Sequence, residues 1–460
     1  MDLDEFRAFA EGIFVHQDQS IKGSYVWLPY GVDLRNNVFS RIIEIVRNSG
    51  FGLYQFPLIE PIELLRRQKK LMSFEGGVLY ITRFGNKELT EPYYLRPDGV
   101  TQASEYSKAW IKTQADLPLR LSNWGQFFRT ENTNYPMVAY NGATMLEGYS
   151  FFSDSADAEA ELDRMVSAIK RAVDLLGIPT LAVEMDPDAN NPVSLRLVGF
   201  NVFVPSIGRT MQAAVAYYHG KKYSELFDIS YINNGTKKLV EMCSFGATER
   251  LLGLVLMLCG DKKGFIIPPH LAAVKVAIVP VFSSRSDDRS INATVERVVR
   301  ELEKAGLEYV LDMQKTKYLA KRFSKYEKMG IPIRIEFGPK ELEAGKVSIV
   351  RRDTMERKEV MLDGLADALV SMLDDVDASL RRRLEAELQN AEVEVHSLEE
   401  LRNSDVAKVK VIGYCGKAEC RRRIEDCTAG EIIGRDLSNA KMKCISCGND
   451  GSLSYVSRRF

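Results

Sequence analysis

The sequence predicts an α/β chain of several domains: an N-terminal part with antiparallel strands, then a βαβ domain, then a small cysteine-bearing module. Three observations predict it. Residues 118–152 (PLRLSNWGQFFRTENTNYPMVAYNGATMLEGYSFF) read as two apolar runs around a polar loop with Pro136 and Asn141-Gly142, the pattern of a long antiparallel hairpin. Residues 274–372 begin with a buried run (VKVAIVPVF), pass into a helix (ATVERVVRELEKAG) and continue as strand, helix and strand, which marks a separate α/β unit. The tail carries Cys415-x4-Cys420 and Cys444-x2-Cys447, two close pairs suited to a tetrahedral zinc ion.

Composition bounds the function classes. The chain has 460 residues, 45% hydrophobic and 27% charged, with a net charge of -1. There is no overall basic field, so a nucleic-acid partner must be met by local patches. No run of 18 apolar residues occurs and the start MDLDEFRAFA is acidic, so neither a membrane span nor a signal peptide is expected. Seven cysteines, with Cys243 and Cys259 in apolar sequence, suit the cytoplasm. No DNA or membrane partner is expected.

In chain order, residues 24–50 pass from a strand-like start into a helix with Val38, Ile42, Ile43 and Val46 at helical spacing, stopped by Gly50. FGLYQFPLIEPIELL is a strand broken by Pro57 and Pro61. A basic patch (RRQKK), a hairpin (VLYITRFGNKEL) and the loop Arg96-Pro97-Asp98-Gly99-Val100 follow. Within 118–152, Arg129 and Glu131 stand two apart and are expected on one face of a strand, with Glu147 the single charge on the returning strand. A strand-held Arg suits bidentate binding of phosphate or carboxylate. Residues 156–177 form an amphipathic helix ending at Gly177, and residues 242–269 a glycine turn into an apolar helix with Arg250 in its first turn. Further on, Lys315, Lys317, Lys321, Arg322 and Lys325 interleave with Tyr318, Phe323 and Tyr326, a pattern fit for single-stranded RNA.

The pair FRTE…GATERLLG resembles motifs 2 and 3 of class II aminoacyl-tRNA synthetases. LCGDKKGFIIPPHLAAVKVAIVP, with Gly330, Pro332, Arg334, Glu336, Gly338, Pro339, Arg351, Arg352 and Asp353, is similar to the archaeal and eukaryotic-type prolyl-tRNA synthetases. The resemblance implies an antiparallel class II sheet of about six or seven strands with flanking helices. It implies a catalytic domain over 1–270 (motif 1 about 34–61, motif 2 about 118–152, motif 3 about 242–258), an anticodon-binding α/β domain over 271–375 and a zinc-binding α+β domain over 376–460. It implies a homodimer joined through motif 1. The implied chemistry joins an amino acid to ATP, with Mg2+, as an aminoacyl-adenylate, and then passes it to tRNA, nominally tRNA-Pro. Arg129 would hold the α-phosphate and substrate carboxylate, and Arg250 the γ-phosphate. Glu131, Gln212 and Thr248 would line the nucleotide site. Asp98, Glu147, Tyr149 and Tyr217 would line the amino-acid pocket with Arg129, Glu147 standing near the Mg2+. Arg322, Lys325, Arg334, Glu336 and Arg351 would face the anticodon.

The departures from the family cluster at the catalytic end. The family's RPTSE loop reads Arg96 to Val100 here, its pocket Thr and His fall on Val215 and Tyr217, and its EGH becomes Glu147-Gly148-Tyr149. The motif 2 loop, which normally carries several Arg, runs from Asn134 to Gly142 with no Arg or Lys. These changes leave open a paralogue that activates a different amino acid for a tRNA, carrier or small-molecule acceptor, or a non-catalytic regulatory relative.

Overall fold

The computed structural model describes residues 1–17, 21, 23–71, 77–130, 134–187, 193–282, 288–315 and 318–460. Its contacts divide the chain into two units that interleave in sequence. The larger comprises Gln17–Tyr25, Ser40–Leu254 and Leu388–Phe460, and the smaller Met1–His16, Val26–Phe39 and Val255–Glu387. The last division falls inside the helix Leu365–Ala391.

The larger unit is organised by a 12-stranded sheet. Its order is Glu392–Glu394, Val409–Tyr414, Asp450–Ser457, Glu431–Asp436, Leu181–Met185, Arg196–Val204, Arg209–Gly220, Glu241–Thr248, Thr144–Phe152, Leu119–Gln126 and Gly52–Tyr54, with Lys441–Lys443 beside Asp450–Ser457. The pairings are antiparallel except at the two edges. The sheet exceeds the expected size because the cysteine module adds its own strands to it. Arg435 pairs with Glu184 and Asp436 with Val183. The join needs Gly434: a Cβ there would lie 2.7 Å from the Glu184 carbonyl oxygen.

One face of this sheet is covered by the helix Ser155–Leu176. Asp154 caps its start by accepting from the Asp157 amide at 3.0 Å, and Gly177 ends it at φ 69°. Ala158, Leu162, Met165, Ile169, Ala172, Val173 and Leu176 recur at helical spacing and are buried. Full burial of a side chain such as Leu162 contributes about 1.5–3 kcal/mol. Cys243 also points to this side, donating to the Ala158 carbonyl at 3.1 Å. Its neighbour Ser244 therefore points to the other face, where the cavity lies.

The smaller unit holds a five-stranded sheet in the order Tyr309–Leu311, Val276–Pro280, Ile333–Phe337, Lys346–Arg351 and Arg357–Met361. The first three strands are parallel, as the βαβ pattern predicts, and the last two are antiparallel. Val276, Ile278, Ile333, Ile335 and Phe337 form its core with Ile291, Val298 and Leu302 of the helix Asp288–Lys304. Among the described residues, no helix is long and apolar enough to cross a membrane.

Candidate active site

Strand register builds the site. Tyr217, Ser244 and Tyr149 stand side by side across three strands, and Val215, Gly246, Glu147 and Asn123 form the next row. Apart from the fully buried Asn123, these rows line a cavity of about 600 Å³, which Asp98, Arg129, Gln212, Thr248 and Arg250 also border. It thus gathers every described residue expected at the nucleotide and amino-acid sites. Glu131 lies outside the described residues.

At one end, a buried network fixes the Arg96–Val100 loop. The Glu147 carboxylate accepts from the Gly99 amide (2.8 Å), the Tyr149 hydroxyl (2.8 Å), Asn123 Nδ2 (3.3 Å) and Arg96 Nη1 (3.4 Å). Four donors fill it, so Glu147 holds the loop, and the expectation that it attends Mg2+ is withdrawn. Two glycines permit this approach. A Cβ on Gly99 would meet Glu147 Oε2 at 2.7 Å, and one on Gly125 would meet Arg96 Nη2 at 2.5 Å. The loop presents Asp98, which takes the Val100 amide and Gln68 Nε2, each at 3.2 Å. Burial pushes the Asp98 carboxyl up to about 6; the Arg129 cation opposes this and Glu147 adds to it. Behind it, Glu60 is pushed up to about 7 by burial, against hydrogen bonds from Tyr94 and Thr101.

Arg129 is not on a strand. The strand ends at Gln126, and the Phe128 amide turns to the Arg96 carbonyl at 2.9 Å. Arg129 follows with Nε 2.8 Å from the Pro97 carbonyl and its guanidinium 5.2 Å over the Phe127 ring. The expected strand placement of Arg129 therefore fails, although Arg129 reaches the cavity beside Asp98; that of Glu131 lies outside the described residues.

At the other end, Arg250 opens the helix Arg250–Cys259. Its Nε donates to the Val138 carbonyl (2.9 Å) and Nη1 to the Gln212 carbonyl (3.2 Å), while its amide takes Thr248 Oγ1 (3.2 Å). The loop without Arg or Lys packs here: Met137, Val138, Ala139 and Tyr140 are buried. Tyr140 donates to the buried Glu249, which also accepts the Thr144 amide at 3.2 Å. Backbone carbonyls and one tyrosine thus orient the Arg250 turn.

Sequence reasoning missed Arg96, Glu249, Tyr140, Ser244 and His219. For His219 a signal existed, because counting by two from Tyr217 places it next on the cavity face.

The comparisons with known proteins fit this geometry. Residues 80–257 match the tRNA synthetase class II core domain (G, H, P, S and T), and residues 275–372 match the anticodon binding domain. The proline–tRNA ligase of Pyrobaculum neutrophilum is 32% identical over 420 residues, spanning 90% of this chain and 85% of that one. The chain belongs to the proline–tRNA ligase family. The proline–tRNA ligase of Methanosarcina mazei is 29% identical over 448 residues, spanning 96% of this chain and 93% of its own. A crystal structure of prolyl-tRNA synthetase from Cryptosporidium parvum, complexed with halofuginone and AMPPNP, shares the fold. It has a TM-score of 0.92 and 22% identity over 100% of this chain and 97% of that chain. As a family member, the protein is a class II aminoacyl-tRNA ligase.

Two further groups of residues complete this ligase. The thiol sulfurs of Cys415, Cys420, Cys444 and Cys447 all lie within 4.8 Å of one another, with Cys415 and Cys447 at 3.8 Å. A tetrahedron of about 2.3 Å Zn–S bonds has edges of about 3.8 Å, so the cluster fits zinc. In the anticodon-binding unit, Lys325 is exposed, with Nζ 5.1 Å from the Tyr326 centroid. Arg334 pairs with Glu336 (2.7 Å) and Glu327 (2.8 Å), and Arg351 pairs with Asp353 (3.0 and 2.8 Å). Arg322 does not face solvent. It is 4% exposed and donates to the Asp312 carboxylate (3.2 Å) and the Pro280 carbonyl (3.0 Å). Its expected role at an RNA surface is corrected to an internal tie, because burial satisfied by these acceptors leaves the guanidinium nothing to offer a partner. Lys317 lies outside the described residues.

Proposed function

We propose that the protein activates proline with ATP and Mg2+ as the prolyl-adenylate and transfers the prolyl group to tRNA-Pro. One observation carries this reading: a single cavity is lined by Asp98, Arg129 and Arg250 together. Asp98 takes the substrate ammonium, and Arg129 takes its carboxylate and the α-phosphate. Arg250 holds the far phosphates, with Gln212 and Thr248 beside the nucleotide and Tyr149 and Tyr217 walling the amino acid. Glu131 is assigned to the nucleotide site on the family resemblance alone. The two guanidiniums neutralise charge that grows as the carboxylate attacks phosphorus and pyrophosphate leaves, without covalent participation by the protein. Mg2+, when bound with ATP, adds neutralisation of the triphosphate.

The remaining assignments belong to the same reading. Residues 1–270 serve catalysis and 271–375 the anticodon. Lys325, Lys315 and Lys321 meet the tRNA backbone and the half-buried Arg351–Asp353 pair borders the surface that bases contact, whereas Arg334 and Glu336, 7% and 3% exposed, are internal like Arg322. Residues 376–460 bind a structural zinc ion through Cys415, Cys420, Cys444 and Cys447; metal analysis of the purified protein returns one zinc per chain, and Cys444→Ser removes it. A homodimer is supported by the open edge strand Gly52–Tyr54, which leaves Leu53 and, with Tyr106, Trp110 exposed, Tyr54 and Trp110 5.4 Å apart. Trp110→Glu then yields monomers in light scattering. The reaction belongs to the cytoplasm, where tRNA is used.

The test is ATP–pyrophosphate exchange across the twenty amino acids, followed by charging of tRNA-Pro. Exchange with proline alone is expected. Exchange with a different amino acid, or with none, overturns the reading.

A further inference from the structure

His219 is the extra residue of a β-bulge: Tyr218 pairs with Cys243, and the next pair is Gly220 with Met242. Bulges re-aim side chains and gather near active sites. The ring is 3% exposed, stacked on Tyr217 at 5.4 Å and met edge-on by Tyr223 at 4.9 Å. Its Nδ1 faces the Val193 carbonyl at 3.4 Å and Ser194 Oγ at 3.3 Å, and its Nε2 lies 2.8 Å from Ser244 Oγ.

These contacts favour one tautomer. Burial pushes the imidazole down to about 4, so the ring is neutral and carries one N–H. The Val193 carbonyl only accepts, so the tautomer with the hydrogen on Nδ1 is the one that satisfies it, with Ser194 Oγ beside it. Nε2 is then an acceptor, and the Ser244 hydroxyl donates to it. Ser244 is left with oxygen lone pairs alone, on the cavity wall between Tyr217 and Tyr149. The Tyr149 hydroxyl is likewise committed, to Glu147.

We propose that His219 and Ser244 form a specificity-determining pair that makes Ser244 Oγ an acceptor only, so that the substrate ammonium is read there as well as at Asp98. The inference rests on the amino-acid-activating reading above. Ser244 touches the substrate, whereas His219 acts through Ser244 as a positioning residue. A site that demands N–H donors discriminates strongly against a ring that has none.

The test uses the full chain in ATP–pyrophosphate exchange, comparing wild type with Ser244→Ala, His219→Leu and the double variant. Proline is the substrate, and tetrahydrofuran-2-carboxylate, its ring-oxygen analogue, is the competitor. Each single variant raises the KM for proline about tenfold, the size of one lost bond to a charged group, with kcat and the KM for ATP unchanged. The preference for proline over the analogue falls by the same factor. The double variant is no worse than Ser244→Ala, because one contact is lost twice over. Should His219→Leu fail to fold, Ser244→Ala, which removes a single oxygen, carries the test through the analogue preference. An unchanged preference, effects that multiply, or a KM for ATP that rises in parallel overturns the inference alone. Absence of proline-driven exchange in the wild type overturns the functional reading and this inference together.

Discussion

Arg129 and Arg322 both stand in aromatic-rich runs, and they end in opposite situations. Arg129 spends Nε on one carbonyl, rests over Phe127 and borders a large cavity beside a carboxylate. Arg322 is sunk into its unit and tied to both the side chain and the backbone of Asp312 and to Pro280. The same side chain is a tool in one unit and a rivet in the other. The difference is set by where the fold puts the guanidinium, buried at 4% exposure for Arg322 and on a cavity wall for Arg129, which the local run of residues does not encode.

The largest effects come from exchanging these two situations for alanine. Arg129→Ala lowers kcat/KM in pyrophosphate exchange by about 10²–10³-fold, the loss seen when one preorganised donor to developing charge is removed, and leaves the thermal midpoint in place. Arg322→Ala does the reverse. Breaking a buried pair and stranding Asp312 costs about 3–5 kcal/mol of stability, read by urea unfolding, while exchange by the folded fraction is retained. If Arg322→Ala is stable and instead loses tRNA affinity, the rivet reading is wrong.

The next effect sharpens the cavity side of the comparison. The Asp98 carboxyl is raised to about 6, so it gains its proton as pH falls through that value, and the neutral acid no longer pairs with an ammonium. The KM for proline is therefore flat above pH 7 and about tenfold higher at pH 5 than at pH 7. Asp98→Asn raises KM above pH 6, where the wild-type carboxylate is ionised, converges with the wild type at low pH and so flattens the profile. A profile of the same shape in Asp98→Asn would move the titration to another group, Glu60 being the first candidate.

Much of this was legible in the sequence, for reasons that local chemistry supplies. The helix Ser155–Leu176 announced itself by period, cap and terminal glycine, and the four cysteines by spacing. What was not legible depends on partners remote in the chain. The strand before Arg129 stops because the Phe128 amide is taken by Arg96, and no period within 118–152 shows that. The cysteine module shares the central sheet because Glu431–Asp436 pairs with Leu181–Met185. Burial of Arg322 had a local hint, since Tyr326 one helical turn on is buried on the same face of Leu319–Met329. Charge composition pointed the other way.

The smallest effect tests what remains of the RNA surface once Arg322 is removed from it. Lys321 sits with Nζ 5.1 Å from the ring centre of Tyr318, which is 66% exposed, and Lys325 is exposed one turn further along the helix. Neither is held by the ties that bind Arg322, so both are available to phosphates, and such contacts weaken with salt. Lys321→Ala with Lys325→Ala raises the KM for tRNA about three- to tenfold in charging at moderate salt, and lowers the slope of affinity against salt by nearly one phosphate contact per lysine removed. Pyrophosphate exchange without tRNA stays at the wild-type rate. Equal loss in both assays would mean that these lysines support the fold as Arg322 does, and the contrast between exposed and buried cations in this helix would collapse.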